Sequence, residues 1–158
     1  MKNNFPYQAE IVKVTKEMCD HNDHMNVAFY YQAFDLGYTP MYFKEMGFTE
    51  DYFNSGFSTF TLEDSIRYLK EFKLEDKVYP SFHLVNVNKK LLHFVGILQN
   101  EAGELSAIFE TVLAHMDLHA RKVTEFSDKK LKNLLEYKSS NELTEDLPFD
   151  LKLKIRDL

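Results

Sequence analysis

The stretch from Val27 to Met46 decides what this chain can fold into. Ala28, Tyr31, Phe34 (or Asp35), Tyr38, Met41 and Tyr42 recur at three- and four-residue steps, the period of an α-helix. At about 1.5 Å per residue such a helix spans about 30 Å, enough to cross a sheet. Nearly every face carries an aromatic, so the helix belongs inside the molecule. Pro40 should kink or break it near Tyr38–Thr39, and Gly47 is placed to stop it.

What surrounds the helix reads as strand. Tyr7 to Met18 is a first strand, carrying the β-branched Ile11, Val12, Val14 and Thr15. After a loop over 50–56 come Phe57 to Glu71, Val78 to Asn88, Leu91 to Gln99 and Glu104 to Leu118. Asn100-Glu101-Ala102-Gly103 is a hairpin signal between the last two. In the last strand Leu105, Ala107, Phe109 and Leu113 alternate with Ile108, Val112, Ala114 and Met116. Both faces are apolar, so it should be covered on both. Ser127 can cap a short amphipathic helix, Asp128 to Tyr137. The fold class is α+β: one antiparallel sheet wrapped around one long central helix, over residues 1–138, followed by a polar tail at 139–158, loose from Ser139 to Leu147 and charged and amphipathic, without an assigned element, from Pro148. A lone sheet of this kind has unpaired edges, and joining two sheets across a two-fold axis is the natural cure.

Composition narrows the function. The 158 residues fit one domain, and 44% hydrophobic content makes it globular. A net charge of -6 argues against broad nucleic-acid binding. No apolar run approaches the roughly 20 residues that span a bilayer, so no membrane partner is expected. The start (Met1 to Pro6) lacks a signal-peptide core, and the lone Cys19 fits a reducing, cytoplasmic setting.

Just ahead of the helix stands Cys19-Asp20-His21-Asn22-Asp23-His24-Met25-Asn26. A helix start leaves backbone N–H groups without intrahelical partners and favours negative charge. A carboxylate beside such donors can attack a carbonyl or activate a water while the amides hold the oxyanion. Asp20 reads either that way or as a carboxylate that caps the helix. Asn26 is placed to cap the helix, and Asn22 to position Asp20 or a water. His21 and His24 with Asp20 and Asp23 could also bind a metal, but their spacing suits neither a His-Glu-x-x-His helix nor a finger. Cys19 reads as a small buried hydrophobe.

These residues resemble the hotdog-fold acyl-CoA thioesterases of the 4-hydroxybenzoyl-CoA thioesterase type, most closely those of carnitine breakdown that act on betainyl-CoA. The resemblance runs from about Tyr7 to about Lys122. It is carried by Asp20 with His24-Met25-Asn26, by Ala28 to Asp35, by Glu63 to Glu71, by Gly103 to Ala107 and by His115 to Leu118. It implies hydrolysis of a small acyl-CoA, with Asp20 as nucleophile or general base and the Val27 backbone N–H polarising the carbonyl. It also implies a homodimer or homotetramer with the site at a subunit interface, and neither metal nor other cofactor. Where those enzymes have Gly, this chain has Asp23, which must reshape the loop or bring a new charge to the substrate.

Other candidates follow from placement. His24 orders the loop or meets the thioester. Thr59, Thr61 and Glu63 alternate on one strand face and could meet a partner's Asp20 loop. Lys89 and Lys90, at a turn, lead Arg67, Lys70 and Arg121 as partners for CoA phosphates. Phe29, Tyr30, Phe34, Tyr38, Phe57 and Phe60 are core, or could cradle a trimethylammonium acyl group with Asp23 adding charge. A non-catalytic acyl-CoA sensor, a hotdog dehydratase and a metal-dependent hydrolase are the rivals. The dehydratase would need a His inside the central helix, which has none.

Overall fold

The computed structural model describes residues 5–157; Met1–Asn4, which the signal-peptide reading includes, and Leu158, the last tail residue, lie outside them. The central helix α1 runs Val27–Pro40. It is not broken at Tyr38–Thr39 and continues to Pro40. Instead the chain widens into a π-turn, Met41–Glu45, directly after it. Proline has no N–H for the ladder, so the Leu36 carbonyl loses its helical donor; the Thr39 hydroxyl donates one residue earlier, to the Asp35 carbonyl at 2.7 Å. Gly47 ends the segment with φ +72°, as expected of a helix stop.

The sheet holds β3 (Phe57–Tyr68), β4 (Lys77–Val87), β5 (Leu91–Gln99) and β6 (Leu105–Asp117), all antiparallel, in the order β4-β5-β6-β3. The expected first strand is broken. Only β1 (Tyr7–Gln8) and β2 (Val12–Lys13) pair, both with β4, and a 3-10 turn at Lys16–Met18 replaces its end. Val14 still buries completely, so the hydrophobic pattern was real while the pairing was not continuous. Short helix α2 (Glu50–Asn54), strand β7 (Lys122–Val123) and helix α3 (Asp128–Ser140) complete the fold, with Ser127 capping α3.

α1 lies on one face of the sheet. Phe34 is fully buried, stacked on Phe109 at 4.9 Å and edge-on to Phe82 at 6.3 Å. Phe82 sits between two glycines: a Cβ on Gly37 would come within 2.8 Å of its ring, and one on Gly96 within 2.7 Å. Helix and sheet therefore close onto a single aromatic.

The other face is covered too, by the tail. Val95, Ile97 and Ile108 pack with Leu143, Leu147, Phe149 and Leu151. Glu110, 1% exposed, accepts from the Lys152 N–H at 2.7 Å and the Leu153 N–H at 3.0 Å, beside His93 at 3.2 Å. Leu143 and Leu147, in the stretch expected to be loose, thus pack on the sheet, and the unassigned residues after them are strapped to it. From Leu147 to Leu153 the tail's apolar residues alternate, but that spacing does not say which surface they cover. β3 pairs with β6 alone among the described residues and so forms an edge.

Candidate active site

The loop before α1 is shaped by its own hydrogen bonds. The Asp20 N–H bonds the His24 carbonyl at 3.2 Å, and the Asp23 N–H bonds the Asp20 carbonyl at 3.0 Å. This closure puts Asp23 at φ +59°. Asp23 thus takes a left-handed backbone, a region that Asp tolerates better than most residues do. Asp23 is exposed. The loop is pinned to the fold by Met25 N–H to the Phe72 carbonyl (2.7 Å) and Asn26 N–H to the Met18 carbonyl (2.9 Å).

The Asp20 carboxylate, half-buried, accepts from Asn26 Nδ2 at 2.8 Å and from the Asn22 backbone N–H at 2.9 Å. The Asn26 amide first, and the Asn22 N–H second, hold its carboxyl below the usual carboxylate range. Asn22 therefore acts through its main chain. Asn26 has two tasks, since its Oδ1 also accepts from the Ala28 N–H at 3.0 Å and caps α1. With Ala28 N–H taken by that cap and Phe29 N–H by the Asn26 carbonyl, the Val27 N–H is left without a partner among the described residues. It stands at the positive end of a 14-residue helix.

A cavity of about 200 Å³ opens beside it, between His24, Val27 and Tyr30 on one wall and Tyr68 to Glu71 on the other. His24 Nδ1 lies 3.1 Å from Glu71 Oε2. Tyr68 and Glu71 lie in the Glu63–Glu71 segment that carries the resemblance, but sequence reasoning did not place them at this site. They arrive because the end of β3 crosses the helix start, where Phe72 receives the loop. Tyr30 is placed at this cavity but its hydroxyl is committed: it donates to the Lys70 carbonyl and accepts from the Phe72 N–H, both at 3.1 Å. Among the described residues no three His, Cys, Asp or Glu side chains gather as a metal site.

The remaining candidates stand apart from Asp20 within the chain. A bulge at Leu62 shifts the register between Thr61, opposite Leu113, and Glu63, opposite Val112. Glu63 therefore faces away from Thr59 and Thr61, contrary to plain alternation. Thr59 Oγ1 lies 2.6 Å from the Tyr42 hydroxyl, and Thr61 is exposed. The Lys89 and Lys90 carbonyls accept from Phe126 and His115 N–H groups. His115 pairs with Thr59, whereas the Asp20 loop adjoins the Tyr68 end of β3. Along a strand of that length the two ends lie roughly 30 Å apart. Lys89 and Lys90 are thus not brought to Asp20 of their own chain.

An antiparallel sheet wrapped around one long helix is the hotdog fold of the thioesterases. The chain belongs to the thioesterase-like superfamily, whose family model matches residues 14–134. It is 30% identical over 118 residues to an L-carnitine dehydrogenase/betainyl-CoA thioesterase of Rhizobium meliloti, covering 74% of this chain and 24% of that protein. It thus spans about a quarter of that relative's length. Among solved structures, a Staphylococcus aureus protein in complex with CoA superposes with a TM-score of 0.84 at 25% identity, covering 99% of this chain and 98% of the other. The fold is shared with a DHNA-CoA thioesterase of the same organism, with a TM-score of 0.71 at 18% identity over 85% of this chain and 89% of the other.

Proposed function

We propose that this chain hydrolyses acyl-CoA thioesters, with Asp20 acting on the carbonyl carbon or on a water and the Val27 N–H receiving the developing oxyanion. The observation that carries this reading is the pairing of an oriented, anionic Asp20 with a partnerless amide at the start of a buried helix. Either route ends alike. Water supplies OH to the acyl carbon, the C–S bond breaks, and the thiol leaves with the remaining proton. Such chemistry needs no cofactor beyond substrate and water.

The functional unit in this reading is a homodimer paired through the β3 edges. Two antiparallel β3 strands would set the Thr59–Thr61 end of one chain, with Lys89 and Lys90 nearby, beside the partner's Asp20 loop. Those residues would then serve the site from the second subunit. Betainyl-CoA is a candidate substrate because the Rhizobium meliloti relative carries that activity in its name. The test is free-thiol release across acetyl-, betainyl-, straight-chain and aromatic acyl-CoAs. Release from at least one is expected. Binding of CoA with no release from any would replace the hydrolase with an acyl-CoA sensor.

A further inference from the structure

The chain after α3 lies on the face of the sheet away from α1 without joining the sheet as a strand. From Glu142 to Asp157 it holds neither helix nor strand. Its hold on the sheet runs through side chains instead. Glu110 accepts from the Lys152 and Leu153 N–H groups, Arg67 donates to the Asp150 carbonyl at 2.7 Å, and Asn88 Nδ2 donates to the Arg156 carbonyl at 2.6 Å. The Arg67 guanidinium also lies over the Phe149 ring, 5.5 Å from its centroid. A segment fastened in this way can open without breaking the strand ladder, at a lower cost than global unfolding.

The covered face carries groups that water would serve better. Arg67 Nε and His83 Nδ1 are buried without a hydrogen-bond partner among the described residues. Arg67 lies under the tail. His83 stands between Phe82 and Leu84, which pack toward α1, and so points to the opposite face. There Phe5, which packs with the tail residues, closes over it with ring centroids 6.0 Å apart. Lys138 of α3 adds a positive charge beside His83. His93, 2% exposed, meets Glu110, which Arg67 approaches at 3.6 Å. The charged side chains of the tail itself are exposed. Burial first, and Lys138 second, push His83 down to about 4, and burial also lowers His93. Both rings take a proton more readily once water reaches them.

We propose that residues 142–157 form an acid-released strap, which leaves the sheet as a unit while the central helix and the four long strands stay folded. The open form binds the extra protons between pH 6.5 and 4, so the strap holds above about pH 6.5 and loosens as pH falls. From pH 7.5 to 5.5, His83 alone raises the open population by up to about tenfold, and His93 acts in the same direction. Opening gives Arg67 Nε and His83 Nδ1 water as a partner and uncovers Val95, Ile97 and Ile108. The strap does not depend on the thioesterase reading.

Amide hydrogen exchange followed by NMR on the full chain tests it. Corrected for intrinsic rates, the Lys152 and Leu153 N–H groups should exchange about a hundredfold or more faster than the ladder amides of β5 and β6, at pH 7.5 and at pH 5.5. Their protection should fall about tenfold between the two, with near-ultraviolet circular dichroism still that of the folded protein. The variant carrying His83→Leu and His93→Gln removes both titrating rings and should lose most of that fall. Tail amides protected as strongly as those of β5 and β6 would overturn the strap, because release would then need global unfolding. Equal protection at the two pH values, or a response undiminished in the double variant, would overturn its release by acid. The wild-type readings decide both points should the double variant fail to fold.

Discussion

Asn26 joins the stability of α1 to the state of Asp20, and two substitutions separate these tasks. Its Oδ1 caps the Ala28 N–H and its Nδ2 donates to Asp20. Asn26→Ala removes both. Loss of a cap of this type costs about 1 kcal/mol, which for a chain of this size lowers Tm by about 2–4 °C. Asn26→Ser keeps a capping oxygen and should return most of that loss. Neither variant keeps the amide nitrogen that reaches Asp20: alanine has no donor, and the serine hydroxyl stops one bond short of the Nδ2 position. The Asn26 bond is the leading cause of the depressed Asp20 carboxyl, so in both variants that carboxyl moves back up toward its ordinary value of 3.8. Activity that needs the anion is present above that pKa and lost as pH falls through it. The acid limb of the kcat profile should therefore shift to higher pH in both. A positioned general base supplies about 10²–10⁴-fold, and losing its orientation should remove about tenfold or more of this from kcat. The assays are thermal melts and free-thiol release from pH 3 to 8. An Asn26→Ser enzyme with wild-type kcat and an unmoved acid limb would refute the reasoning.

Further outcomes follow from the rest of the fold. His83 is buried with its Nδ1 unbonded, and burial pushes it down to about 4 from an ordinary 6.5. The unfolded chain binds the extra proton between those values, so stability is full above about pH 6.5 and falls as pH drops toward 4, by up to about 3 kcal/mol. His83→Leu should flatten that slope in urea titrations, and an unchanged slope would discount His83. Leu62→Lys puts a charge on the β3 edge, and sedimentation should then show monomer where the wild type sediments as dimer; identical profiles would count against β3 pairing. Truncation after Ser140 uncovers Val95, Ile97 and Ile108 and strips Glu110 of two donors, each worth about 1–3 kcal/mol when a buried group is left unpaired. A lower Tm with light-scattering association is expected, and an unaltered melt would show the strap to be idle.

What was legible in the sequence was what is locally encoded. The central helix, the four long strands, the Asn100–Gly103 hairpin and the caps at Asn26 and Ser127 depend on periodicity and on residues a turn apart. The loop that presents Asp20 could be recognised because its polar residues are contiguous. The missed features need partners remote in sequence. The departure from β4 after Ala9 and the bulge at Leu62 are set by what lies across the sheet. The course of the tail depends on Glu110, a carboxylate that alternation alone places on a covered face. Glu71 reaches His24 only because β3 ends where the Asp20 loop docks. Asp23 was flagged by its departure from Gly, and the structure shows the left-handed backbone there accommodated.

The most direct measurement is the rate of thiol release by Asp20→Asn, which keeps the size of the side chain and removes its charge. With helicity and melting unchanged, kcat on the best acyl-CoA should fall by about 10²-fold or more. A variant turning over within threefold of the wild type would show that the chemistry is done elsewhere.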